Sequence, residues 1–417
     1  MRHLNRAFVL ELAAIAWVAA QPVPLLDSKT KVDWWFAFKF NAGAFPNSCA
    51  KIACPFGGTA QSKSYSLEFA YASSANHKLQ QGGGCAGETT ADPIGATFSQ
   101  VYNGNYFFVL WNDQFYNDPL ENREAPAGHS KGMLAWDGTG SGFVMQVSTP
   151  DWPGSGSKST LRKAGNTLGC IQSDNDIEVS QHFFALKLTK DDVLKVLAGL
   201  ANSSVVTDPT NKQIVNNGGP SDIVAAVKGL GQVSTSKDAT IGKLSSGVTL
   251  ISKPSHLNVP PWQMVSGLLA SEPLRAATWW TTPEIYSTTS TSTVSCWDPK
   301  LGKPGAVQIA TTGTWNGKSI GLQGGATPEG NHAKIGVSTG THSYAIFGDE
   351  NQQGTLSGPN CGSSQNGRGG LFYVVEDATL HDSVRDLIAG QSAPTSAPTS
   401  AGSGKAHSAS SKPSKNR

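Results

Sequence analysis

Apolar runs with strand-like composition recur along the chain and set its framework. Val32-Asp-Trp-Trp-Phe-Ala-Phe-Lys-Phe40 is dense in aromatic and branched residues and predicts a central strand. Asn105-Tyr-Phe-Phe-Val-Leu-Trp111 predicts another, followed by Asn112-Asp113-Gln114. After Lys131 the pattern reads strand (Gly132 to Asp137), glycine turn (Gly138 to Gly142), strand (Phe143 to Ser148). After Lys334 it reads the same way: Ile335 to Ser338, a turn through Gly340 and His342, then Ser343 to Gly348. Helical periodicity lies between. Thr189 predicts an N-cap for a helix from Lys190 to Leu200, with Asp192 in its first turn. Ser221 predicts a cap for a second, Asp222 to Lys228, closed by Gly229. A third, Ala378 to Ala389, places Leu380, Val384, Leu387 and Ile388 on one face before Gly390. Strands mixed with helices in both halves indicate an α/β or α+β layered fold.

Polar breaks divide this framework. The stretch Asp208 to Pro220, with Asn216-Asn217-Gly218-Gly219, is the expected connection, giving an N-terminal half over 21–215 and a C-terminal half over 216–391. The Ser392-Ala-Pro-Thr-Ser-Ala-Pro-Thr-Ser400 repeat opens a tail, 392–417, whose composition predicts disorder. Residues 1–20 read as a signal peptide: Arg2 and Arg6, an apolar stretch interrupted by Glu11, and Val18-Ala19-Ala20 before Gln21. That places the protein in the secretory route, secreted or lysosomal/vacuolar, and no membrane anchor is expected. Six cysteines then suggest disulfides, with Cys296–Cys361 expected as one and the other pairings open. Asn202-Ser203-Ser204 is a glycosylation sequon. The 417 residues include 46 glycines and carry a net charge of +2, which favours a turn-rich chain with no broad basic face. A nucleic-acid partner would be held by a local site, not by a general field.

The candidate chemistry is the triplet His-x-Lys, present once in each half as His129-Ser130-Lys131 and His332-Ala333-Lys334. Two imidazoles and two ammonium groups converging between the halves would make a phosphate site. One neutral imidazole attacks phosphorus, a second, protonated one delivers a proton to the departing oxygen, and the lysines hold the non-bridging oxygens. Asp137 or Asp349 is expected to orient a histidine, with Asn351 as a further donor and Ser148 in a supporting role. No Cys or carboxylate spacing calls for zinc or a two-metal centre, so neither metal nor cofactor is expected. His77, His182, His256, His342 and His381 are expected on the surface or in packing, with His342 the leading exception. Trp34, Trp35, Trp111 and Trp136 fit core positions in strands better than base-stacking ones.

These residues resemble the deoxyribonuclease II family of the phospholipase D-like superfamily. Gly128-His-Ser-Lys-Gly132 through Asp137, with Trp111-Asn-Asp-Gln114 upstream, is similar to its first-half signature. Asn331-His-Ala-Lys334 through Ser338, Gly348-Asp349-Glu350-Asn351 and Arg368-Gly369-Gly370 are similar to its second-half signature, and Val32 to Lys39 to its opening strand. The resemblance spans residues 30 to 390 in order. Asp137 lies one position later than the superfamily's acid, no acid follows Lys334 in that place, and Cys49, Cys54 and Cys85 have no counterparts. The resemblance implies a pseudo-dimeric fold with the active site between two sheet-and-helix halves. It also implies metal-independent cleavage of DNA at acidic pH through a phosphohistidine, leaving 3′-phosphate and 5′-hydroxyl ends. His129 is favoured as nucleophile and His332 as acid, although the residues alone leave this open. A phosphodiesterase acting on a non-DNA ester and a non-catalytic DNA-binding protein stand as alternatives. Oligomeric state is not legible.

Overall fold

The computed structural model describes residues 21–49, 52–60, 65–171 and 177–395. The predicted signal peptide therefore lies outside the described residues. Eight strands form a first sheet: β1 (Trp34–Lys39), β2 (Phe69–Ser73), β3 (Asn76–Gln81), β4 (Phe107–Asn112), β5 (Lys131–Trp136), β6 (Gly142–Val147), β7 (Gln181–Leu188) and β8 (Val215–Asn216). Their order is β3-β2-β1-β7-β6-β5-β4-β8, with every neighbour antiparallel. The second sheet contains β9 (Thr240–Lys243), β10 (Thr249–Lys253), β11 (Leu274–Ala277), β12 (Val307–Ile309), β15 (Ile335–Ser338), β16 (Tyr344–Gly348) and β17 (Gly370–Glu376); β13 (Thr312–Trp315) and β14 (Lys318–Gly321) form a separate hairpin. Its order is β12-β11-β15-β16-β17-β10-β9, with only the β11–β12 pair parallel. Mostly antiparallel sheets with separate helices settle the class as α+β.

Strand alternation explains the layering. In β1, Phe36 stacks on Phe347 of the second sheet at 4.4 Å, while Trp35 points the other way and donates its indole N–H to Thr97 of α1 (Pro93–Tyr102). In β17, Tyr373 meets Phe184 of the first sheet, while its neighbour Phe372 packs on Trp262 of α4 (Pro261–Leu268). The sheets thus pack face to face, with α1 and α4 on their outer faces. Burial on both sides is why these strands read as nearly continuous apolar runs. The central order β1-β7-β6-β5-β4 recurs as β10-β17-β16-β15-β11, and a helix follows the second strand of each set: α2 (Lys190–Asn202) after β7, α5 (Ala378–Leu387) after β17.

Local signals are realised with two departures. Thr189 and Asp192 form a reciprocal capping box at α2. Helix α3 (Ser221–Lys228) ends at Gly229 as expected, but Ser221 is its first helical residue and Pro220 caps it without a side-chain bond. The expected boundary at 215/216 falls inside β8, which pairs with β4. The chain passes to the second sheet only after α3. Disulfides join Cys49–Cys85, Cys54–Cys170 and Cys296–Cys361. No helix among the described residues is long and apolar enough to cross a membrane.

The start of the predicted tail is a correction. Ser392 bridges to Ala310, Ala393 is buried and donates its N–H to Ile309, and Pro394 accepts from Ser287. Arg275 gathers the preceding carbonyls of Ile388, Gly390 and Gln391. Edge strand β12 offers unpaired backbone groups, and a Ser/Ala/Pro segment can satisfy them without an apolar side-chain pattern. Composition alone could not show this docking. Residues from 396 onward lie outside the described residues.

Candidate active site

Both His-x-Lys triplets sit where the chain enters a strand, and each is anchored to the opposite half. His129 donates its backbone N–H to Gly369 at 2.7 Å, and His332 donates its own to Ser180 at 2.7 Å. The accepting segments are fixed by buried lysines at the ends of β1 and β10. Lys39 donates to the carbonyls of Phe40, Ser66 and Val179, and Lys253 to those of Gln365, Asn366 and Arg368. The imidazoles cross over as well. Nδ1 of His129 lies 2.8 Å from the carbonyl of Asp349, and Nδ1 of His332 lies 3.2 Å from that of Ser148. A carbonyl only accepts, so each Nδ1 carries the proton, and in the neutral ring Nε2 keeps its lone pair.

Ser148 and Asp349 occupy matching places, one residue past β6 and β16. The Ser148 hydroxyl accepts from the backbone N–H of His182 in β7 at 2.9 Å, and Asp349 Oδ2 from that of Leu371 in β17 at 2.8 Å. Each side-chain oxygen fastens a turn whose carbonyl then orients the histidine of the other half. The two positions differ in charge capacity. Burial raises the Asp349 carboxyl to about 7, against the N–H of Leu371, the Ser130 hydroxyl and Lys131, which favour its ionised form.

The cations are buried. Lys131 Nζ donates to Asp113 Oδ1 at 2.6 Å, and Asp113 Oδ2 lies 3.1 Å from Arg368 Nη2. Burial works to raise the Asp113 carboxyl, but Lys131 and Arg368 outweigh it and hold the group below its ordinary value. Arg368 also donates to the carbonyls of Arg123, Ala127 and Gly128, tying the segment before His129 to the C-terminal half. Lys334 Nζ donates to the His332 carbonyl at 2.6 Å. Burial, then Lys131, Lys334 and Arg368, hold the His129 imidazole well below the usual histidine range. Burial, then Lys334, Lys131 and His129, do the same to His332. Each ammonium bears on both rings, so the two triplets share one electrostatic environment.

The remaining expectations divide. Ser148 and Asp349 act on the histidines through their carbonyls. Asp137 is elsewhere: it accepts from Thr139 and Ser141 in the β5–β6 turn, at the other end of β5, roughly 20 Å along the strand from Lys131. Its carboxylate shapes a turn and cannot orient either imidazole. Asn351 is buried and donates to Gln353, not to a histidine. His342 is half-exposed, pairs with Glu272 and stacks on Tyr344 at the far end of its hairpin. The exception among the other histidines is His182, whose Nδ1 accepts from the backbone N–H of Lys334 at 3.1 Å. Trp35, Trp111 and Trp136 are core residues, yet the indole N–H of Trp111 reaches the Ser130 hydroxyl at 2.8 Å. Asp113 and Arg368 stand in the motifs that carry the resemblance, but their spacing assigns them no role. Trp279, which no motif marks, packs against His332 with ring centroids 4.5 Å apart.

A family model described as Deoxyribonuclease II matches residues 25–393. The chain is similar to deoxyribonuclease-2-alpha of Rattus norvegicus, 27% identical over 172 residues, covering 39% of this chain and 45% of the rat protein. Similarity to deoxyribonuclease-2-alpha of Bos taurus is 28% over 175 residues, covering 39% of this chain and 43% of the bovine one. In these two comparisons the chain spans less than half the length of the relative. Plancitoxin-1 of Acanthaster planci is 27% identical over 325 residues, 71% of this chain and 75% of that protein.

Proposed function

This chain belongs to the deoxyribonuclease II family, and on that premise we propose that it is a metal-independent endodeoxyribonuclease acting between two pseudo-dimeric halves, the chain crossing from the first to the second after α3. The carrying observation is the crossed anchoring: each Nδ1 is tied to a carbonyl of the other half, which leaves each Nε2 for substrate. In the proposed reaction Nε2 of His129 attacks phosphorus and a P–N bond forms. The P–O5′ bond breaks, and O5′ takes the proton from Nε2 of a protonated His332. Water, giving a proton back to His332, then displaces the phosphohistidine. The products are a 3′-phosphate and a 5′-hydroxyl. Lys131 and Lys334 balance charge on the non-bridging oxygens throughout.

The same electrostatics account for an acid preference. His332 must be protonated to act as the acid, yet burial and the neighbouring cations disfavour its imidazolium. Only low pH, helped by the bound phosphate, supplies that proton. His129 is assigned as nucleophile on its place in the first-half motif that carries the family resemblance. An extracellular or lysosomal setting fits the three disulfides.

Plasmid nicking across pH in EDTA, with His129→Ala, His332→Ala and the double variant, tests this reading. Wild-type protein should nick DNA at acidic pH. Each single change should lower turnover by several orders of magnitude, and the double should be little worse than the worse single, because both groups serve one step. Loss of activity in EDTA with rescue by a divalent ion, or near-normal activity in a folded single variant, would overturn it.

A further inference from the structure

We propose that Trp279 is the platform on which the nucleobase of the departing nucleotide stacks, the nucleotide lying 3′ of the cleaved bond. The inference rests on the nuclease reading above and adds to it a base subsite. Its ring lies against His332 at 4.5 Å between centroids with planes at 79°. His332 is the group that delivers a proton to O5′ in that reading. What lies beside His332 is therefore the sugar and base that leave.

The packing of Trp279 differs from that of the core tryptophans. Trp35, Trp111, Trp136, Trp152 and Trp262 are fully buried, whereas Trp279 is half-buried and is not among the rings packed against either apolar core of the described residues. An indole left partly in water beside a catalytic histidine forgoes burial that it would gain in a core. Its position is nevertheless fixed. A Cβ on Gly324 would come within 2.8 Å of the Trp279 Cγ and 2.9 Å of its Cδ1, so only glycine lets the backbone lie this close to the ring. Gly324 backs the indole, and the edge-to-face contact with His332 sets its tilt.

The repeated strand order makes the placement more telling. In the first sheet Asn112 pairs with Lys131, and Asp113 follows it. In the second sheet Ala277 pairs with Ile335; continuing that register puts Thr278 opposite Lys334 and Trp279 where the first half has Asp113. One side of the site therefore carries a carboxylate engaged with Lys131 and Arg368, and the other an aromatic face. A phosphodiester between two nucleotides, one retained on the enzyme and one released, meets two different walls. Stacking on indole is open to every base, since each has a π-face, so this subsite would add affinity without a sequence preference.

The test uses the full chain and short single-stranded oligonucleotides with one ordinary phosphodiester, the other linkages being methylphosphonates. A tetrahydrofuran abasic analogue replaces the nucleotide on the 3′ or the 5′ side of that bond. For wild-type protein, removing the 3′-side base should lower kcat/KM about 5- to 150-fold, the range of a lost base–aromatic stack. Trp279→Leu should show a comparable loss on the intact oligonucleotide and little further loss when that base is removed. Trp279→Phe should retain most of the wild-type dependence on the base, and it carries the comparison if the leucine variant does not fold. The proposal is overturned if removing the 3′-side base costs wild-type nothing, if the cost follows the 5′-side base instead, or if wild-type and a folded Trp279 variant lose equally from base removal. Failure of wild-type protein to cleave any of these oligonucleotides in EDTA counts against the nuclease reading, which separates the two outcomes.

Discussion

At the scale of single residues, the site is set by burial and by which atoms neighbouring groups present. The lysines have opposed effects on the histidines. In the proposed reaction they would stabilise the phosphate, while in the structure they depress both imidazolium forms, one of which that reaction needs for its leaving group. Lys334→Met should therefore do two things. Turnover should fall by about 10²–10³, the usual cost of removing one donor to a developing oxyanion. The alkaline limb of kcat/KM against pH should move upward, because one cation bearing on both rings is gone and a protonated His332 persists to higher pH. A limb that stays in place would show that the ammonium does not act on the titrating group. The other histidines also differ in the atoms they meet. His342 follows a motif but ends at the far side of its hairpin, while His182, in an ordinary strand slot, meets the Lys334 backbone through β7.

Elements follow local chemistry where the partners lie close in sequence. The Thr189–Asp192 box forms because its donors and acceptors are within one turn. The docking of Ser392 to Pro394 depends instead on Arg275 and on strand β12, far back in the chain. Truncation after residue 391 should lower stability by about 1–3 kcal/mol, the scale of a few backbone and charge-assisted hydrogen bonds, and thermal melts would read it. Truncation after residue 395 should leave the melting temperature and the nuclease rate nearly unchanged, given the Ser/Pro/Thr composition beyond it. Equal melting temperatures for the two truncations would show that the docked segment contributes no stability.

For the whole molecule, burial of titratable groups between the sheets links stability to pH. Burial raises Asp349 to about 7 and Glu350 to about 8, the latter beside Lys253 at 3.6 Å. Their folded-state pKa values lie above the unfolded ones near 4, so the stability they give is complete below about pH 4 and is lost as pH rises through 7 and 8. His129, His182 and His332 are shifted the other way, chiefly by burial. Their contribution is complete above about pH 6.5 and is lost as pH falls. Above about pH 6.5 the histidine contribution is complete while Asp349 and Glu350 still titrate, so the melting temperature should decline from there to about pH 8. The buried Lys253, held below its ordinary value by burial, opposes part of the decline, and Asp349→Asn should flatten another part. A melting temperature that rises over this interval would contradict the assignment. The sequence by itself determined the strands β1, β4, β5, β6, β15 and β16, the helices α2, α3 and α5, and the pair of His-x-Lys triplets, because apolar runs, helical periodicity and a repeated motif are all written locally. Tertiary structure alone decided that Asp137 stays in a turn, that Asp113 joins Lys131 to Arg368, and that Trp279 flanks His332. It alone aimed each imidazole as well, for those bonds end on backbone carbonyls, which every residue possesses and no sequence pattern distinguishes.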